Sequence, residues 1–151
     1  MLPPMARLCS TIVALLVALP LPWLGGCSTN PVSGREELVL MSEETEQEIG
    51  DEAAVQVEAQ LGLVQDSELA EYVERLGNKL AKLSPRQDVD YSFQIVEMEE
   101  PNAFALPGGY VYISRGLLAL ANSEAEVANV LAHEIGHVAA RHAAQRDTAA
   151  K

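Results

Sequence analysis

The feature that most restricts this chain is a short run near its C-terminal end, His133-Glu134-Ile135-Gly136-His137, set inside an apolar segment. Valines, leucines and isoleucines at 127, 130, 131 and 135 recur at helical spacing, so the segment is expected to be a helix. Ser123, with Glu126 three residues on, opens that helix as a capping box, and the helix is expected to run towards Arg141. Two histidines and a glutamate on a largely buried element need partners to offset the cost of burial. Gly136 interrupts the same helix at a cost of about 1 kcal/mol relative to alanine, which points to close packing or function.

On a helix, His133 and His137 lie about 40° apart around the axis, one turn above the other, so both imidazoles reach one metal ion. Glu134 points about 100° from His133 and suits a different task. It is placed to take a proton from a metal-activated water as general base and hand it to a leaving amine. This His-Glu-x-x-His spacing is a zinc-peptidase signature. The expected site is therefore His133 and His137 as metal ligands, Glu134 as the catalytic residue and Zn2+ as the cofactor. His142, five residues beyond His137, is rotated about 140° away if the helix continues. It is expected to be structural, paired with backbone or with an acid. Glu124 and Glu126 precede the motif by about two turns and are out of reach of the metal.

Further upstream the pattern changes period. Ser42 caps a first helix, whose buried stripe is expected at Ile49, Ala53, Val57 and Leu61 and whose end is Gly62. A second begins at Asp66 or Ser67, buries Leu69, Val73, Leu76, Leu80 and Leu83, and stops at Ser84-Pro85. Tyr91, Phe93 and Ile95 alternate with polar residues as a strand does. Two further short apolar runs, 102–106 and 110–114, flank Pro107-Gly108-Gly109 and form a hairpin or a sharply bent connection. Helical character returns over Gly116 to Leu120. The fold class is α+β: two helices, short strands with a hairpin, then the motif helix.

The N-terminus reads as a targeting segment. Arg7 precedes an apolar run, Leu8 to Leu19, that Pro20 and Pro22 make too short for a membrane span but that suits a secretory signal peptide. It ends in Leu24-Gly25-Gly26-Cys27, which resembles a bacterial lipobox and makes Cys27 the lipidation site. Residues 1–26 are thus expected to be a lipoprotein signal, and 27–41 the lipidated cysteine and a polar tether that holds the folded body off the bilayer. With Cys9 removed and Cys27 acylated, no thiol pair is left for a disulfide or a cysteine metal site. The net charge of −12, with lysines and arginines scattered singly, lacks the positive field that nucleic-acid binding requires. The acidic stretch from Glu36 to Glu52 is expected to be a solvated helix face.

The motif does not stand alone. Together with Asn102-Ala103-Phe104-Ala105-Leu106-Pro107-Gly108-Gly109, Ser114-Arg115-Gly116-Leu117-Leu118 and Asn122-Ser123-Glu124-Ala125-Glu126, it resembles the HtpX/BepA/LoiP-type metallopeptidases. These are gluzincins related to the CaaX prenyl protease and the mitochondrial inner-membrane quality-control peptidase. The resemblance covers about residues 31 to 146, and Asn30-Pro31-Val32-Ser33-Gly34-Arg35 belongs to it. It implies a zincin-like fold, with residues 42–151 as the N-terminal part of the metallopeptidase domain. It also implies a third zinc ligand, a glutamate from a later helix that the 151 residues do not contain. Asn102, Ala103, Phe104 and Ala105 become candidates for a wall against which an extended substrate lies; a plain core hairpin is the other reading. Ser28 after the cysteine is compatible with outer-membrane sorting.

By this resemblance the chain is expected to be a zinc endopeptidase at the periplasmic face of the bacterial outer membrane. Its partners would be cell-envelope protein substrates, misfolded or misassembled, and the membrane through the lipid anchor, with no nucleic acid. The competing expectation is a non-catalytic envelope-binding lipoprotein, or an inactive fragment without the third ligand.

Overall fold

The fold comes from a computed structural model, which describes residues 27–30, 32, 34–38 and 41–149. Residues 1–26, where a lipoprotein signal is expected, lie outside the described residues. The stretch expected to be a tether begins instead with a small antiparallel hairpin, β1 (Cys27–Thr29) against β2 (Glu36–Leu38). Asn30 holds its turn: its side-chain oxygen accepts from the Val32 amide at 2.8 Å, and its backbone bonds Arg35 and Gly34.

Two long helices follow. The first, α1 (Glu43–Leu61), is capped by Ser42 Oγ accepting from the Thr45 amide, and it ends on Gly62 at φ 73°. The second, α2 (Ser67–Ala81), is capped by Asp66 accepting from the Leu69 amide. Three strands then make one mixed sheet in the order β3-β5-β4. In it β3 (Ser92–Val96) runs parallel to β5 (Tyr110–Ser114), and β4 (Ala103–Ala105) runs antiparallel to β5. The expected hairpin is present, closed through a single 3-10 turn at Pro107–Gly109. A short helix α3 (Arg115–Leu120), the motif helix α4 (Glu124–Ala139) and α5 (His142–Ala149) complete the described chain.

Strand alternation sorts the core into two layers. Phe93, Ile95, Val111 and Ile113 face α2 and α4, where they meet Val73, Leu76, Val127, Leu131, Ile135 and Val138. Val96 and Tyr112 pack on the other side with Ala54 and partly buried Val57 and Leu61 of α1. Each large apolar side chain enclosed in this way contributes about 1.5–3 kcal/mol. The sheet is therefore sandwiched, α1 on one face and α2 with α4 on the other.

Two expected helix faces need correction. In α1 the buried positions are Glu46, Gly50 and Ala54, while Ile49 is 40% exposed. The reason is a backbone approach: a Cβ on Gly50 would lie 2.2 Å from the Pro107 carbonyl oxygen, so α1 seats on the β4–β5 turn through its glycine. In α2 the stripe ends at Leu80, because the helix stops at Ala81 and leaves Leu83 82% exposed.

Nor is the acidic stretch wholly solvated. Glu46 is 2% exposed and takes Arg86 at 3.0 Å and Arg141 at 2.8 Å, while Arg86 also holds Asp88 at 3.1 Å. Two guanidiniums and two carboxylates balance in charge. This lets the group be buried where an unpaired ion would not be tolerated.

Candidate metal centre

The motif helix starts as expected, with a displaced reciprocal bond. Ser123 Oγ accepts from the Glu126 amide at 3.3 Å, but Glu126 reaches back to the Asn122 amide, at 2.8 Å, rather than to Ser123. From this start the apolar face of α4 turns onto the sheet, which fixes where the motif points. Leu131 and Ile135 are buried, His133 is exposed and His137 is half-buried.

Away from that apolar face, Nε2 of His133 and Nε2 of His137 converge to 3.1 Å, with the rings edge to face at a centroid distance of 4.6 Å. Two nitrogens bound to one tetrahedral zinc sit about 3.3 Å apart, since each bond is about 2.05 Å long. The pair is thus spaced to chelate one ion. Glu134 is buried, at 8% exposure, and the ligand-type atoms of the three residues lie within 4.8 Å of one another. Among the described residues this is the group able to hold a metal. The His137 imidazole is held below its usual pKa of 6.5, chiefly by burial. The neighbouring His133, His142 and Arg146 push the same way, against Glu134. A neutral ring is the form that binds metal.

Gly136 faces open space: a Cβ there would meet nothing within 4 Å, so close packing within the described residues does not explain it. With His133, His137 and His142 it lines a shallow cleft to which the N-terminal hairpin contributes Asn30 and Val32. The Asn30 amide group donates to the Ala140 carbonyl at 3.4 Å.

The helix does not continue past Ala139 into His142. Ala140 caps it, Arg141 takes a left-handed conformation at φ 54°, and α5 starts afresh at His142. That break returns His142 to the site. Its Nδ1 is 2.6 Å from Nδ1 of His137, in place of the expected backbone or acid partner.

The four residues expected at a substrate wall are split by the structure. β4 is an edge strand of the sheet, with no further strand beside it among the described residues, and it packs on α4. Ala103 and Ala105 face the α4 side, and Ala105 lies in one small cavity with His137 and His142. Phe104 points to the opposite face and stacks on Tyr112, centroids 5.3 Å apart. Asn102 is exposed and ties the start of β4 to Ser114 by two backbone links of 2.8 Å, one through Ser114 Oγ.

The family profile of peptidase family M48 matches residues 67–151, over half of the chain. The chain belongs to peptidase family M48. Its metal motif, α2, the sheet and α3 all fall inside that match. Among curated relatives, the beta-barrel assembly-enhancing protease of Yersinia pestis is 35% identical over 115 residues, 76% of this chain and 24% of that one. The mitochondrial metalloendopeptidase OMA1 of Schizosaccharomyces pombe is 31% identical over 119 residues, 77% of this chain and 35% of that one. The putative beta-barrel assembly-enhancing protease of Vibrio cholerae is 40% identical over 83 residues, 55% of this chain and 17% of that one. The chain thus spans about a third or less of the length of these relatives.

Proposed function

We propose that this M48 chain carries the metal-binding and proton-transfer half of a zinc endopeptidase acting on proteins of the bacterial cell envelope. The observation that carries the reading is the convergence of His133 and His137 Nε2 to 3.1 Å beside a buried Glu134, on a helix packed against an edge strand. His133 and His137 would hold the metal, and a further ligand from outside the described residues would complete the three-residue set usual for catalytic zinc. The metal, when bound, supplies Lewis-acid activation of a water and of the scissile carbonyl.

The chain's own residues do the rest. Glu134, fixed by its place on α4, takes the water proton on its carboxylate and returns it to the leaving amine. The edge of β4 that no strand among the described residues covers, Ala103 to Ala105, offers backbone groups that an extended substrate can pair with as an added strand. Small side chains at Ala103 and Ala105 keep that strand close to α4. Phe104, partly buried against Tyr112 on the opposite face of the sheet, fixes the strand's level.

The envelope setting rests on the names of the bacterial relatives and on the signal-like N-terminus ending at Cys27. In this reading Cys27 is lipidated and holds the protein at the periplasmic face of the outer membrane, where misassembled envelope proteins are its substrates. The test is Glu134→Gln in the intact protein, assayed for casein cleavage and for zinc content. Cleavage should fall by about 10²–10⁴-fold with zinc retained, as for loss of a general base. Undiminished cleavage would remove Glu134 from the mechanism.

A further inference from the structure

If His137 gives Nε2 to a metal, its proton must reside on Nδ1, and something must receive it. The structure supplies one acceptor at that atom, Nδ1 of His142 at 2.6 Å, with the two rings inclined at 60°. Two ring nitrogens at this distance share one proton, so one donates and the other accepts. We propose that His142 is a positioning residue for the metal site: its unprotonated Nδ1 accepts from His137 Nδ1–H. This fixes the His137 tautomer and aims Nε2 at the point that His133 Nε2 also faces. The inference rests on the metal-site reading above and extends it to a residue outside the pentapeptide.

The chain goes to some length to put His142 there. A continuous helix would carry it about 140° away from His137. Instead α4 is broken by a left-handed Arg141, a conformation that non-glycine residues seldom adopt. Three bonds hold the break. Arg141 donates to Glu46 Oε2 at 2.8 Å and to the Met41 carbonyl at 2.8 Å, and Gln145 donates to the Ala140 carbonyl at 2.7 Å. Residues from before and within α1 therefore fix the backbone that presents His142.

The test uses the intact protein and two variants, His142→Leu, which has no acceptor, and His142→Asn, whose Oδ1 hangs from Cγ as Nδ1 does. Nitrogen NMR of the metal-free protein should find neutral His137 as the Nδ1–H tautomer in wild type and in His142→Asn. His142→Leu should return it to the Nε2–H form that a free imidazole favours. Zinc affinity, read by chelator competition, should fall 10–100-fold in His142→Leu and stay within a few-fold in His142→Asn. An Nε2–H tautomer in the wild type overturns the proposal, and that measurement needs no variant to fold. A wild type that binds zinc no better than His142→Leu overturns it while leaving the metal site standing. A wild type that takes up no zinc overturns the metal reading and this proposal together.

Discussion

Glu46 on α1 and Arg141 beyond the end of α4 meet through Oε2 and Nε at 2.8 Å, across 95 residues of sequence. The same carboxylate binds Arg86 through both oxygens, at 3.0 and 3.3 Å. One buried acid thus joins the first helix, the loop after the second and the turn behind the metal motif.

Replacing Glu46 by alanine leaves two largely buried guanidiniums short of a counter-charge, since among the described residues Asp88 forms an ion pair with Arg86 and reaches Arg141 only at longer range. The expected loss of stability is about 3–5 kcal/mol, the cost of stranding a buried ion pair's partner. Urea unfolding of wild type and variant measures it. A change below about 1 kcal/mol would mean the guanidiniums find water or new partners.

Two glycines should respond in opposite senses. A Cβ on Gly77 would lie 2.3 Å from the buried Phe93 ring. The overpacking cost of about 1–3 kcal/mol should exceed the gain in helix propensity, and Gly77→Ala should be less stable. A methyl group on Gly136 would meet no neighbour within 4 Å among the described residues, so Gly136→Ala should raise stability by up to about 1 kcal/mol. Thermal or urea midpoints of the two variants settle both signs.

Ser114 is fully buried, and its hydroxyl oxygen accepts from the Asn102 amide at 2.8 Å and the Leu117 amide at 3.0 Å. Ser114→Ala removes the cap of α3 and one of the two links that anchor β4, leaving the bond from the Ser114 amide to the Asn102 carbonyl. The expected cost is about 1–2 kcal/mol, and the Asn102 amide should exchange with solvent faster. Unchanged exchange at Asn102 would show that the Ser114 hydroxyl does not hold β4, and that the backbone bonds to β5 and to Ser114 suffice.

His137 gives the pH prediction. Its pKa in the folded chain lies below 6.5, with burial the leading cause. Between that folded value and 6.5 the unfolded chain binds more protons, so stability of the metal-free protein rises with pH across this window. It is fully present above 6.5 and is lost as pH falls towards the folded pKa. NMR titration of the His137 ring, alongside unfolding midpoints from pH about 7.5 down to about 5, checks the direction.

What could be read in the residues follows from how local each determinant is. The cap at Ser123, the metal spacing of His133 and His137, the alternation of Phe93 and Ile95, and the Pro107-Gly108-Gly109 turn each act within a few residues. The face of α1 is not local, because it is set by the close approach of Gly50 to the Pro107 carbonyl. The stretch Ala140-Arg141-His142-Ala143-Ala144 holds no glycine or proline, so helix propensity alone carries α4 straight through it. Glu46, among many acids in a row, bears no mark that distinguishes it from its solvated neighbours. Only its two distant arginines reveal its place, and with them the turn that brings His142 to His137.

The hairpin at the front of the chain sets a length. Asn30 is fastened to the Ala140 carbonyl, and Cys27 is three residues before it. Three residues at full stretch span at most about 11 Å. Whatever is attached at Cys27 is therefore moored on a very short line to the end of α4, one helical turn beyond His137. With a lipid at that cysteine, the metal site would ride close against the bilayer surface, and chains emerging at that surface would be the first it meets.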